Sequence, residues 1–400
     1  MLSVFYGHRD FRRLAFGSAF HSASWQGEQV VVGLLVFQLT GSTAWVGIAY
    51  ALAFAPMLIV GVPAGATADR FDRRRLQPLF EALLVIVMGA MALLFAAGIA
   101  LLPVVLAATF ATGSLRAMQH PVRLSYAHDI LGPGKLLGAL SRLSVLTRLG
   151  QLLGALLIGV VMEHTGNAAA YAGLAMLHVM ACFILLQLRE GGQPREATAQ
   201  TLRDNLREYL HELYRNPTLL RLTLLASLVE IFGFSFTTAL PEIASVRLDT
   251  GADGLGLIHS ARAAGGLLAG VVLARVGTLR SNARAYAGSI MGFGVALLVL
   301  AASPTLLLAM LAAGLIATMA ATCDILAQTM MQLSVADRLR GRAMGAWVLS
   351  LGAGPIGHVE VGLLAGVVGG GVMLTVNGIC LLAIAAGVFA SVGAFKRSQR

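Results

Sequence analysis

The stretch Gly61-Val62-Pro63-Ala64-Gly65-Ala66-Thr67-Ala68-Asp69-Arg70-Phe71-Asp72-Arg73-Arg74-Arg75 begins as apolar sequence and ends in a cluster of arginines. Gly61 and Gly65 lie four apart, so they share one helix face and let a neighbouring helix approach closely. The arginines then stop the apolar run. On either side lie apolar runs at 43–66 and 77–98, each long enough to cross a bilayer at about 20 residues per helix. The stretch therefore reads as a tight, basic connection between two membrane-spanning helices.

The same pattern returns later in the chain. Gly266, Gly270, Arg275 and Arg280 repeat the spacing of Gly61, Gly65, Arg70 and Arg75 at an offset of 205 (266 − 61). Leu333-Ser334-x-Ala336 repeats Leu124-Ser125-x-Ala127 at an offset of 209 (333 − 124). Two features recurring at nearly one offset argue for duplicated halves. Working outward, further apolar runs fall at 14–37, 101–121, 137–162 and 168–188 in the first half. The second half offers 218–241, 254–275, 284–302, 304–328, 343–367 and 371–394. The expected fold is an all-α membrane protein of twelve spans, two six-helix bundles related by a pseudo-two-fold axis. The division is residues 1–188, a linker at 189–217, and residues 218–400. Within the linker, Gly191-Gly192-Gln193-Pro194 precedes a helical pattern with Arg203, Asp204, Arg207, Glu208, His211 and Glu212. That pattern suits a solvated helix lying along the inner surface.

Composition agrees. Hydrophobic types make up 57% and charged types 12% of the 400 residues, and mean hydropathy is +0.79. A soluble domain carries roughly 25% charge, and one with this little would expose large apolar patches. The net charge of +10 could indicate nucleic acid, but the basic residues fall between apolar runs and form no stripe for phosphates. They read instead as topology signals. Arg9, Arg12, Arg13, the 70–75 cluster, Arg123, Lys135, the 189–221 interval, Arg275, Arg280, Arg284, Arg338, Arg340, Arg342, Lys396, Arg397 and Arg400 all fall on one side, and essentially Arg247 alone on the other. Both termini are thus expected in the cytoplasm. The first helix is expected to serve as an uncleaved insertion signal. Cys182, Cys323 and Cys380 lie inside apolar runs without metal-ligand spacing, so neither a disulfide framework nor a zinc site is expected.

The 61–75 stretch resembles the loop between spans two and three of the major facilitator superfamily, usually written GxLaDrxGrkxxl. Asp69 and the basic cluster match; Asp72 stands where the family has its second glycine, and Pro63 where it has leucine. Asp337-Arg338-Leu339-Arg340-Gly341-Arg342-Ala343-Met344-Gly345, followed by Gly352-Ala353-Gly354-Pro355-Ile356-Gly357, resembles the bacterial branch of enterobactin exporters and macrolide-efflux-like proteins. The resemblance implies a bacterial inner-membrane transporter that exchanges a small solute for protons, acting as a monomer. It also implies that Gly61, Gly65, Asp69, Arg70, Arg73, Arg74, Arg340, Gly341 and Arg342 take part in gating. Asp69 would latch the inner side, against an arginine or a helix N-terminus; the arginines compete for that role with simple inside anchoring. The second repeat has Ala274 where the first has Asp69, which makes the latch one-sided. Gly150 and Gly154 resemble the family's antiporter glycine motif, with Gln151 in place of its proline.

Ionisable groups inside spans are costly, so each is a functional candidate. Glu28, beside Trp25 and Gln26, falls mid-span in the first run, and Glu230 mid-span in the seventh. Either could carry a proton; either could equally form a structural ion pair, Glu28 with Arg116 or Arg148. His358 and Glu360 follow a Gly-Pro-Ile-Gly run and suggest substrate contact or coupling, unless Glu360 reaches the outer water layer. Arg262 could attract an anionic solute or join an interhelical pair. Arg116 and Asp324 fall at near-equivalent repeat positions (324 − 209 = 115) and suit an inner gate pair. His21 and His178 read as hydrogen-bonded packing. Phe232, Phe234 and Phe236 face lipid, packing or an amphipathic solute. No phosphate-binding loop or catalytic constellation is present, so neither cofactor nor enzymatic activity is expected. The sequence and the resemblance thus point to secondary active transport, the proton-coupled export of a small amphipathic or siderophore-like molecule by alternating access, with proton-coupled uptake of a small solute or a non-transporting membrane sensor on the same scaffold as the alternatives.

Overall fold

The computed structural model describes residues 8–131, 133–193, 213–276, 282–335 and 340–398. Among them every regular element is helical. Four helices open the chain: α1 (Arg9–Thr40), α2 (Thr43–Arg70), α3 (Arg73–Ala96) and α4 (Leu102–Leu131). They match the first four apolar runs. Pro103 sits in the first turn of α4, where its missing N–H costs nothing.

The next element, α5 (Pro133–Leu185), is 53 residues long. As one rod it would measure about 80 Å, far beyond a hydrocarbon core of roughly 30 Å. It is broken at Gly166, whose φ of 84° and ψ of 179° suit glycine and few other residues. The contacts along α1 show what the break achieves. Ala19 and Ala23 meet Gly150 and Gly154, Gly27 meets both Ile158 and Leu174, and Gly17 meets Leu185. The arm 133–165 therefore runs parallel to α1 and the arm 167–185 returns antiparallel. These are the fifth and sixth expected spans, folded back as a hairpin.

The second half begins with α6 (Pro217–Phe232), capped by Asn216, whose Oδ1 accepts from the Thr218 and Leu219 amides. Beyond Gly233 the span continues to Arg247 irregularly, as a 3-10 stretch Phe234–Ala239, one α-turn Leu240–Glu242 and a π-turn Ile243–Arg247. Pro241 lies within this stretch and cannot donate to the helical ladder, one reason for the irregularity. Then follow α7 (Gly251–Val276), α8 (Asn282–Ala302), α9 (Leu306–Leu333), α10 (Arg340–Leu351), α11 (Gly354–Val368) and α12 (Gly370–Ser398). Helices α10 and α11, separated by a turn at Gly352 and Ala353, together make the eleventh span. At Ser303-Pro304 the chain turns sharply, and Thr305 caps α9.

By length and composition, eight segments among the described residues can cross a membrane, and one of them, Arg142–Leu185, holds both arms of α5. Large apolar side chains such as Ile86, Leu93, Leu153 and Val367 stay exposed on these helices, as they must if lipid covers them. The protein is a multi-pass membrane protein. The chain forms two compact units. The first contains residues 1–40, 52–199 and 250–260, and the second residues 41–51, 200–249 and 261–400.

Candidate functional site

Charged and polar side chains inside the first unit gather into three clusters. At one end of the helices lies a knot. Asp72, standing where the resembled family has glycine, caps α3 by accepting from the Arg74 amide at 2.9 Å. That cap starts α3 so that Arg73, 1% exposed, pairs with Asp129 near the end of α4 (Nη1 to Oδ2, 2.6 Å). The Arg73 amide and the Arg74 guanidinium both donate to the segment after α5, to the carbonyls of Gly192 (2.8 Å) and Arg189 (3.0 Å). The same segment returns two amides, of Arg189 and Glu190, to Asp10 Oδ2 at 2.6 and 2.7 Å. Arg13 holds the other oxygen of Asp10 at 2.7 Å. Burial pushes the Asp10 carboxyl up, but the two amides and the guanidinium outweigh it and hold the group below the ordinary aspartate value. Four segments (the starts of α1 and α3, the end of α4, the segment after α5) are thus tied together by hydrogen bonds and ion pairs.

Deeper in α1 is Glu28, 3% exposed. The Arg116 guanidinium lies on its Oε2 and Thr112 donates to its Oε1 at 2.7 Å. Thr112 and Arg116 are one turn apart on α4, so both reach the same carboxylate. A third cluster, reached by His21 two turns before Glu28 on α1 and by Gln119 one turn after Arg116 on α4, centres on Glu81 of α3. His21 Nδ1 meets its Oε1 at 2.9 Å and His178 Nδ1 its Oε2 at 2.7 Å. Gln119 donates to Oε1 at 2.6 Å.

Trp25 and Gln26 are half-buried on α1. The Gln26 side chain meets His259 Nδ1 at 2.9 Å, in the first turns of α7 that belong to this unit. Glu163, at the end of the first arm of α5, accepts from the Ala252 amide at 2.7 Å, an acid placed on a positive helix N-terminus.

In the second unit the acids converge. Glu230 and Asp324 line one small cleft of about 10 Å³, together with Tyr286, Cys323, Trp347 and Ser350, room for about one water molecule. The charged group that bears most on Glu230 is Asp324, another acid. Farther along, His358 Nδ1 meets Thr238 Oγ1 at 2.8 Å and packs edge-on to Tyr50 at 5.6 Å. The Arg262 guanidinium lies 5.0 Å above the Phe236 ring, a cation–π contact. Glu242 repeats the role of Glu163: it accepts from the Gly370 amide at the start of α12 (2.9 Å) and from Thr43 (2.5 Å). Glu360 is half-buried on α11.

The sequence candidates are therefore distributed rather than gathered. Glu28 and Arg116 meet, whereas the sequence had offered Arg116 also as a gate partner for Asp324. Glu230 and Asp324 share a cleft that spacing did not suggest. Arg73 and Arg74 fall in the knot. Gly61, Gly65, Asp69 and Arg70 lie in the last turns of α2, and Arg340, Gly341 and Arg342 open α10; their side chains, like the linker pattern from Arg203 to Glu212, lie outside the described residues. Sequence reading missed Glu81, Asp10, Asp129, Glu163 and Glu242. Glu81 was visible by the rule that singled out Glu28, an acid inside an apolar run.

The described helices are long and apolar enough to cross a membrane and hold acids and arginines among them. The chain belongs to the Major Facilitator Superfamily, whose sequence profile matches residues 14–248. It is similar to the Staphyloferrin A transporter of Staphylococcus aureus (strain NCTC 8325 / PS 47), at 25% identity over 356 residues, covering 86% of this chain and 87% of that one. Among solved structures it is similar to a POT family transporter in complex with a thioalcohol-conjugated peptide (TM-score 0.81, 12% identity, 96% of each chain). It is also similar to the nucleoside transporter NupG (TM-score 0.76, 14% identity, 95% of this chain and 98% of that one). At those identities the two structures speak for the fold alone.

Proposed function

We propose that this chain is a secondary active transporter that exports a small amphipathic or siderophore-like molecule in exchange for protons, by alternating access. Its place is the bacterial inner membrane, as a monomer with both termini in the cytoplasm, an orientation supported by the one-sided arginines. The similarity to the Staphyloferrin A transporter supports the solute class. The observation that carries the coupling is the cleft shared by Glu230 and Asp324. Two carboxylates in one low-dielectric cleft repel, and a proton taken up between them removes that repulsion. Glu28, by contrast, already has a permanent cation in Arg116 and serves as a structural or gating pair.

Inside-out vesicles with an imposed pH gradient test this directly, with staphyloferrin A as the first probe. An exporter accumulates the probe inside such vesicles and dissipates the gradient as it does so; Glu230→Gln abolishes the gradient-driven accumulation. Accumulation only in right-side-out vesicles would reverse the direction, and equal accumulation by wild type and variant would sink the carboxyl assignment.

A further inference from the structure

The Glu81 cluster has a composition that the transport reading does not use. Two imidazoles and one carboxylate come from three separate elements, α1, α3 and the second arm of α5, and converge where almost no water reaches. The Glu81 and His178 side chains are 0% exposed and that of His21 is 7% exposed. One ligand atom from each of the three residues lies within 4.8 Å of the others. A tetrahedral ion with bonds of about 2.0–2.2 Å spaces its donors roughly 3.3–3.6 Å apart. Closing from 4.8 Å to that spacing takes side-chain shifts of under about 1 Å.

The polar surroundings are also less settled than a purely structural network requires. Glu81 accepts three hydrogen bonds, which would satisfy it alone. Yet His178 Nε2, Gln119 Oε1 and both polar atoms of the Gln77 amide are buried among the described residues with no hydrogen-bond partner. Gln77 sits one turn before Glu81 on α3, and so on the same face. Buried polar atoms left without partners are uncommon and call for an explanation. An ion bound at the two Nδ1 atoms fixes each ring in the tautomer that carries its proton on Nε2, which makes His178 Nε2 a donor in need of an acceptor beside the unpaired amide oxygens of Gln77 and Gln119.

We propose that His21, Glu81 and His178 form a binding site for a borderline divalent transition-metal ion of the zinc or cobalt class. Two imidazoles select such ions over magnesium or calcium, which prefer oxygen. The bound ion bridges α1, α3 and the second arm of α5 and so stiffens the first unit. Arg123 and His120 on α4 lie within electrostatic range of the cluster, so their charge limits the affinity. His21, the one member with any exposure, marks the side from which an ion enters.

The test uses the full chain, purified in detergent without a histidine tag. Equilibrium dialysis against Zn²⁺ or Co²⁺, read by elemental analysis, is expected to give one ion per chain. Glu81→Gln and His178→Gln are each expected to weaken that binding at least tenfold, while His164→Gln, at an exposed histidine, leaves it unchanged. Should the buried variants fail to fold, X-ray absorption on the wild-type zinc form decides: a first shell containing two imidazoles is expected. No stoichiometric ion, a shell without imidazole, or full affinity in a folded His21→Gln/His178→Gln protein would each overturn the site.

Discussion

Glu28 and Glu81 of the first unit and Glu230 and Asp324 of the second are surrounded differently. In the first, every buried carboxylate described above is answered by donors: Glu28 by Arg116 and Thr112, Glu81 by two imidazoles and an amide, Asp10 by two backbone amides and Arg13. In the second, Glu230 and Asp324 sit acid against acid in one cleft. On the proposed reading the first unit holds shape with its charges, and the paired acids of the second respond to protons.

The sharpest way to break this comparison is to remove one member from each side. Arg116→Ala strands the buried Glu28 carboxylate and should cost about 3–5 kcal/mol of stability, seen as a large drop in the thermal midpoint in detergent. Glu230→Gln removes a like charge and should leave the midpoint unchanged or raise it, while abolishing gradient-driven transport. If the two variants destabilise equally, the acids of the two units are alike and the division fails. A slightly smaller effect is expected at Gly154→Leu. A Cβ there would land on the backbone of Ala23, so α1 and the first arm of α5 must separate, at about 3 kcal/mol.

Glycines also show how far the sequence could be read. The repeat identified Gly266 and Gly270 as the second copy of a close-packing pair, yet among the described residues nothing lies within 4 Å of a Cβ placed on Gly270. The tight approach in α7 is at Gly265 instead, against the backbone of Gly314, with Thr318 donating to the Gly265 carbonyl at 3.0 Å. Spacing identifies a helix face but cannot say which face meets a neighbour. Gly270→Leu should therefore be tolerated where Gly154→Leu is not.

The spans themselves were legible because membrane thickness fixes helix length, and the apolar runs fall on helical segments, although α4 runs on to Leu131, the seventh run breaks up after Phe232 and the eleventh divides into α10 and α11. The break at Gly166 fell between the runs 137–162 and 168–188. The site was legible only residue by residue. Glu28 and Glu230 stood out as lone acids in apolar runs, but their partners depend on helix packing, which no spacing within one helix encodes. Glu81 meets the same rule as Glu28, but it stands only four residues into its run, close to a basic loop, where an acid also reads as part of the connection. Asp72, a departure from the resembled motif, is a helix cap that the motif does not encode.

A more modest loss than at Arg116 or Gly154 is expected at an acid outside the spans, and it has a definite sign. Asp10 titrates below its ordinary value in the folded chain because Arg189, Glu190 and Arg13 donate to it. A depressed carboxyl stabilises the fold above its unfolded value, about 3.9, and loses that contribution as the pH falls through the folded value. Asp10→Asn should thus cost about 1–2 kcal/mol at pH 7 and progressively less on acidification, so that the unfolding midpoints of variant and wild type converge below about pH 4. The convergence distinguishes a held charge from simple packing, because an amide fills the same space but cannot give up a charge. A gap that stays constant from neutral to acid pH would mean that the knot is held by shape, and would remove Asp10 from the set of answered acids in the first unit.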